Sequence, residues 1–125
     1  MNVVDSSGWL EYFNDRENAG FFVAAIEAVD ELIIPSISLF EVFKRILIER
    51  NRDDALEAIA LMKAGKVVDL DDNLALVAAE LSFELKLPMA DSIILATARA
   101  YAATLWTQDA HFKDIDGVRF IEKQP

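Results

Sequence analysis

Cysteine is absent from this 125-residue chain, histidine occurs once, at His111, and there are only four glycines and three prolines. Without cysteine there is no disulfide, no thiolate zinc site and no cysteine nucleophile. A single histidine excludes a histidine pair acting as acid and base, and any multi-histidine metal site. A Ser-His-Asp triad would have to use His111, and no Gly-x-Ser-x-Gly elbow accompanies it. Bases are also scarce: 12 Lys and Arg face 22 Asp and Glu, a formal net charge of -10. That balance argues against nucleic-acid binding by general electrostatic attraction, so such a substrate would need divalent cations or a local basic rim. The opening MNVVDSSG has no basic region ahead of an apolar run, and no charge-free stretch is long enough to span a bilayer. The expected location is the cytoplasm.

What is abundant is apolar: 54% of residues are hydrophobic and the mean hydropathy is +0.23. The length suits one domain over residues 1–125 with a real core. The apolar excess points to a further covered surface, such as a subunit interface.

Along the chain, Asn2 to Val4 reads as a strand ending at Asp5. Ser6, Ser7 and Gly8 break the pattern before a short amphipathic helix with Trp9, Leu10 and Phe13. A helix over Gly20 to Val29, a strand over Leu32 to Pro35 and a long helix from Leu39 to Arg50 follow. After the polar break Asn51 to Asp54, Ala55 to Ala64 is helical, with Gly65 as its C-cap. Val67 and Val68 form a minimal strand, and Asp71 opens a helix to Lys86. Pro88 fits the first turn of the next helix, which carries Asp91. That helix is apolar almost all round, with Ile93, Ile94, Leu95, Ala96, Ala98, Ala100 and Ala102, so it should be buried against a sheet. Thr104 to Trp106 is a strand, Asp109 to Phe112 a turn, and Val118 to Ile121 a last strand. Short buried strands alternating with helices predict an α/β domain with a central, mainly parallel sheet of four to five strands.

In such a sheet, residues just beyond the strands and in the first turns of the following helices line the carboxyl edge, where ligands bind. Asp5 follows the first strand, Glu41 sits in the first turn after the second, and Asp109 follows the fourth. Asp91 joins them because its helix feeds that fourth strand through a right-handed connection. Four carboxylates together repel unless a cation is present. Oxygen donors favour Mg²⁺ or Mn²⁺, which can activate water for in-line attack on phosphorus. The residues alone therefore read as a metal-dependent phosphodiesterase or phosphatase.

Each acid also has an ordinary reading. Asp5 can cap the first helix, Ser38 and Glu41 form a formal capping box, Asp91 suits a helix macrodipole, and Asp109 can cap the turn it begins. Two other acid-rich classes fit poorly. A haloacid-dehalogenase phosphatase needs a second acid two residues after the first, where Ser7 stands. A phosphoreceiver needs an acceptor, for which only Asp69 offers itself, and a late strand ending in Lys, which is lacking.

The ordered set VVDSSGWL, SLFEVFKRIL, ADSIILATA and LWTQDAHF resembles a PIN-domain ribonuclease, most of all the VapC toxins of toxin–antitoxin (VapBC) pairs. The resemblance spans essentially the whole chain. It implies a three-layer α/β/α fold and a Mg²⁺- or Mn²⁺-dependent endoribonuclease of a type II toxin–antitoxin system, leaving a 5′-phosphate on RNA. Its acidic site maps onto Asp5, Glu41, Asp91 and Asp109, with hydroxyls at Ser6 and Thr107; for those two, turn and cap hydrogen bonds are the ordinary alternative. It also implies a homodimer and a small antitoxin. Alternatives within the fold are an RNA-processing nuclease without antitoxin and an inactive binding or scaffold domain.

The charge qualifies this expectation. Lys44, Arg45 and Arg99 are the bases expected to shape a local RNA path, and the acidity suits an antitoxin whose Arg or Lys enters the pocket. The helix Leu39 to Arg50 carries Leu39, Phe40, Val42, Phe43, Ile46, Leu47 and Ile48, too many for one core-facing stripe. Part of it should be covered by another chain.

Overall fold

The computed structural model describes residues 1–125. In order these are β1 (Asn2–Val4), α1 (Ser6–Phe13), α2 (Ala19–Glu27), β2 (Ile33–Pro35), α3 (Ser36–Glu49) and α4 (Arg52–Met62). Then come β3 (Lys66–Val68), α5 (Asp72–Leu85), α6 (Met89–Ala100), β4 (Thr104–Thr107) and β5 (Val118–Phe120). Every strand pairing is parallel. The expected single sheet is divided: β1, β4 and β5 form one ladder and β2 with β3 another. They meet at one parallel bridge, Asn2 to Leu32. Strands of three or four residues leave little ladder to share, so one bridge carries the join.

Alternation along these short strands builds the layers, because successive side chains point to opposite faces. Val4, Ile34 and Trp106 face one side, where they pack with Trp9, Phe22, Val42 and Ile46 from α1, α2 and α3. Val3, Ile33 and Leu105 face the other, against Ala78 and Leu81 of α5 and Ile93, Ile94, Leu95, Ala96 and Ala98 of α6. The helix that reads as apolar all round is buried continuously from Ser92 to Ala98. This is the α/β/α layering expected of the chain. No helix is long and apolar enough to cross a membrane.

Three local expectations are corrected. Helix α3 begins directly after β2, at Ser36, with Pro35 as its N-cap. Ser38 is therefore inside the helix and fully buried, and its hydroxyl has no partner, so the Ser38–Glu41 capping box does not form. Glu41 lies in the second turn, free to face the sheet edge. Gly65 is not the C-cap of α4, a place taken by Lys63. A side chain there would sit 2.8 Å from the Leu32 carbonyl oxygen, so close backbone approach is what requires glycine. Asp91 and Asp109 sit where expected, in the first turn of α6 and just past β4.

Gly8 controls how closely α1 approaches the sheet: a Cβ there would lie 2.6 Å from the Phe22 ring and 2.7 Å from Val4 Cγ1. Both neighbours are fully buried and cannot swing away. Gly8→Ala should lower stability by about 1 to 3 kcal/mol, the usual cost of overpacking, as read from the urea midpoint of unfolding.

Candidate metal centre

Where β1 ends, the chain turns into α1 through Asp5, whose extended backbone and short carboxylate make it the N-cap. Asp5 Oδ1 accepts from the Gly8 amide at 2.9 Å, Ser7 Oγ lies 3.0 Å from both oxygens, and Thr107 Oγ1 donates to Oδ2 at 2.6 Å. Thr107 closes β4, the strand beside β1, and its hydroxyl also accepts from the Asp109 amide at 2.9 Å. One threonine thus fixes both strand-end acids. All partners of Asp5 are neutral and the residue is 2% exposed. Burial therefore pushes its carboxyl up to about 7, against the opposing pull of Thr107, Gly8 and Ser7.

Asp91 reaches the same place from α6. Its pKa is raised, first by burial and then by the charge of Asp109, with Glu41 adding to the repulsion. Glu41 comes from α3, where Ser6 Oγ donates to its Oε1 at 2.6 Å. Asp5, Glu41, Asp91 and Asp109 line one cavity of about 370 Å³, together with Ser6 and Ser7. The four acids expected to converge do so.

His111 completes the cluster and was not among the site residues expected from sequence. Its Nδ1 lies 2.9 Å from Asp91 Oδ2 and 3.2 Å from Asp109 Oδ1. When that nitrogen carries the proton it donates to the two carboxylates, and when it does not its lone pair is free to bind a metal. The bond to Asp91, followed by the charge of Asp109, raises its pKa. The available signal was its spacing, two residues past Asp109 in the turn whose amide Asp109 caps. Ser6 and Ser7 bond to Glu41 and Asp5 rather than to the imidazole, so no serine triad forms.

Ligand atoms of Asp91, Asp109 and His111 lie within 4.8 Å of one another. Asp5 and Glu41 stand outside that tight group but line the same cavity. The donor set fits a divalent cation: carboxylate oxygens dominate, one imidazole is available, and the buried Asp5 has no cationic partner to offset its charge. Of the expected bases, Lys44 and Arg45 line the cavity. Arg99 does not; it lies in the last turn of α6, at the opposite end of the helix from Asp91, and borders a separate recess with Val68 and Tyr101.

A family model described as PIN domain matches residues 3–118. No curated protein sequence matches significantly. Among solved structures, a toxin–antitoxin complex from Klebsiella pneumoniae superposes with a TM-score of 0.80 at 24% identity, covering 95% of this chain and 96% of that one. Mycobacterium tuberculosis VapC20, described as a sarcin-ricin loop cleaving toxin, gives 0.78 at 18% identity, with 100% of both chains covered. DNA-bound VapBC from Salmonella typhimurium gives 0.71 at 19%, with 98% of both covered. At these identities the likeness is one of fold.

The Asp5 carboxyl makes stability depend on pH. Folded, it keeps its proton to about 7; unfolded, only to the ordinary value of 3.8. The folded state binds more protons across that window, so stability falls as pH rises through it. In EDTA, Asp5→Asn should raise the melting temperature by several degrees at pH 8, and the gain should vanish by pH 4. Equal melting temperatures at pH 8 would mean that the carboxylate is not desolvated.

Proposed function

The chain belongs to the PIN-domain family, and we propose that it is a Mg²⁺- or Mn²⁺-dependent endoribonuclease, the toxin of a type II toxin–antitoxin pair. The observation that carries this reading is the meeting of Asp5, Glu41, Asp91 and Asp109, from four separate elements, on one cavity. Asp91 and Asp109, grouped closely with His111, would hold the cation, with Asp5 and Glu41 as the further acids of the same cavity. A bound divalent ion supplies Lewis acidity toward a phosphodiester oxygen and toward the attacking water. The chain's own groups supply position. Thr107 Oγ1 ties Asp5 to the Asp109 backbone, and Ser6 Oγ at the start of α1 holds Glu41 of α3. Hydrolysis forms a bond from water oxygen to phosphorus and breaks the bond to the 3′ oxygen, leaving a 5′-phosphate and a 3′-hydroxyl.

The antitoxin reading is supported by α3. Its Val42 and Ile46 face the core, while Phe40, Leu47 and Ile48 are exposed, and Phe40 and Ile48 border the acid cavity. A partner laying an apolar side chain on Phe40 and a Lys or Arg among the acids would block substrate and replace the cation at once. A second copy of the chain is the other cover for the outward face of α3, giving the homodimer.

Purified protein should cleave single-stranded RNA with Mg²⁺ or Mn²⁺ and stop when EDTA removes the metal. Asp91→Asn should lower the cleavage rate by at least ~100-fold, since loss of a ligand costs no less than loss of its supporting bonds. Unchanged cleavage by that variant would refute the assignment.

A further inference from the structure

A second recess of about 300 Å³ opens beside the acid cavity, and the two share Ser7, Leu10 and Arg45 in their walls. Their charges are opposite in character. Four acids line the first against Lys44 and Arg45; Arg16, Arg45 and Lys123 line the second against Glu11 and Glu49. Glu11 is 7% exposed. Its carboxylate accepts from the Asn18 backbone amide at 2.9 Å and from Gln108 Nε2 at 3.1 Å, which fix it in the wall, so three bases face two acids in the recess. Glu49 stands 3.9 Å from Arg45, a loose contact on the surface. Arg16 and Lys123 make no ion pair or side-chain hydrogen bond, although acids outnumber bases 22 to 12 in the chain.

What sets Arg16, Arg45 and Lys123 apart is their place: all three line one recess that opens beside the cavity equipped for phosphodiester chemistry and shares Arg45 with it. We propose that the second recess is a binding track for the RNA backbone flanking the cleaved bond, with phosphates contacted by Arg45, Arg16 and Lys123. Guanidinium and ammonium groups on a groove wall follow a phosphate backbone without reading its bases. The buried Glu11–Gln108–Asn18 network gives the track a fixed floor. Gln108 lies between Thr107 and Asp109, and Asn18 Nδ2 bonds both Gln108 Oε1 at 2.9 Å and the Glu122 carbonyl at 3.0 Å. The segment bearing Lys123 is thereby tied to the residues that set the acid site. The track also resolves the charge problem: the field that repels RNA is opposed at one edge of the cleft. This inference rests on the nuclease reading above.

The test is equilibrium binding of a fluorescein-labelled single-stranded oligoribonucleotide in EDTA, followed by anisotropy over a series of KCl concentrations. The wild type is compared with Arg16→Gln/Lys123→Gln and with Arg52→Gln/Lys63→Gln, which changes net charge equally at bases outside both recesses. The track variant should bind about fivefold or more weakly than the control at moderate salt. Its plot of log K against log salt should be shallower by about 1.4, two phosphate contacts at about 0.7 each. In Mg²⁺ its loss of cleavage should appear as a raised KM. If the track variant matches the control in affinity and slope, the track is wrong while the nuclease stands. If the wild type neither binds nor cleaves RNA, both fall.

Discussion

Like charges held at short range organise this molecule. Two unit charges 4 Å apart interact by about 4 kcal/mol at an effective dielectric constant of 20, and burial strengthens the effect. Asp91 and Asp109 share His111 Nδ1 at 2.9 and 3.2 Å, and Asp5 and Glu41 add two more carboxylates on the same cavity. The fold holds them there with neutral donors: Thr107, Ser7 and the Gly8 amide for Asp5, Ser6 for Glu41. These bonds fix direction without cancelling charge. His111 adds a positive charge only when protonated, and it is exposed. A divalent cation is the simplest counterweight to such a pocket.

The architecture was readable because each strand is short and buried. Val3 and Val4, Ile33 and Ile34, Leu105 and Trp106 alternate between the two cores, and helices fill the intervals. Asp5, Asp91 and Asp109 could be placed because each sits one or a few residues beyond a strand end or inside a first helical turn, and parallel topology sends those positions to one edge. Glu41 reached that edge by a different route. Ser38 and Glu41 had capping-box spacing, but the helix starts at Ser36, so a local pattern was overridden by the tight β2–α3 connection.

What stayed hidden depends on contacts between distant residues. His111 was read only as an exclusion, and its place between Asp91 and Asp109 follows from how the turn after β4 lies across the start of α6. The bonds joining Asn18 to Gln108 and to Glu122 span 90 and 104 residues, and no spacing rule reports them. Arg99 was assigned to the cleft because it is basic and on the Asp91 helix, yet it lies beyond the buried stretch, at the far end of α6. Sheet division was equally invisible, since β1 and β2 touch through one bridge.

A net charge of -10 and an RNA substrate are compatible once charge is resolved by place rather than summed. Acids gather where a cation would sit, and Arg16, Arg45 and Lys123 line the recess alongside. The most direct measurement of the central claim is anomalous diffraction from a crystal soaked in Mn²⁺. The account predicts a manganese peak in the cavity walled by Asp5, Asp91 and Asp109, absent from Asp91→Asn crystals treated alike. A cavity without manganese at saturating soak, or a peak elsewhere on the molecule only, would contradict it.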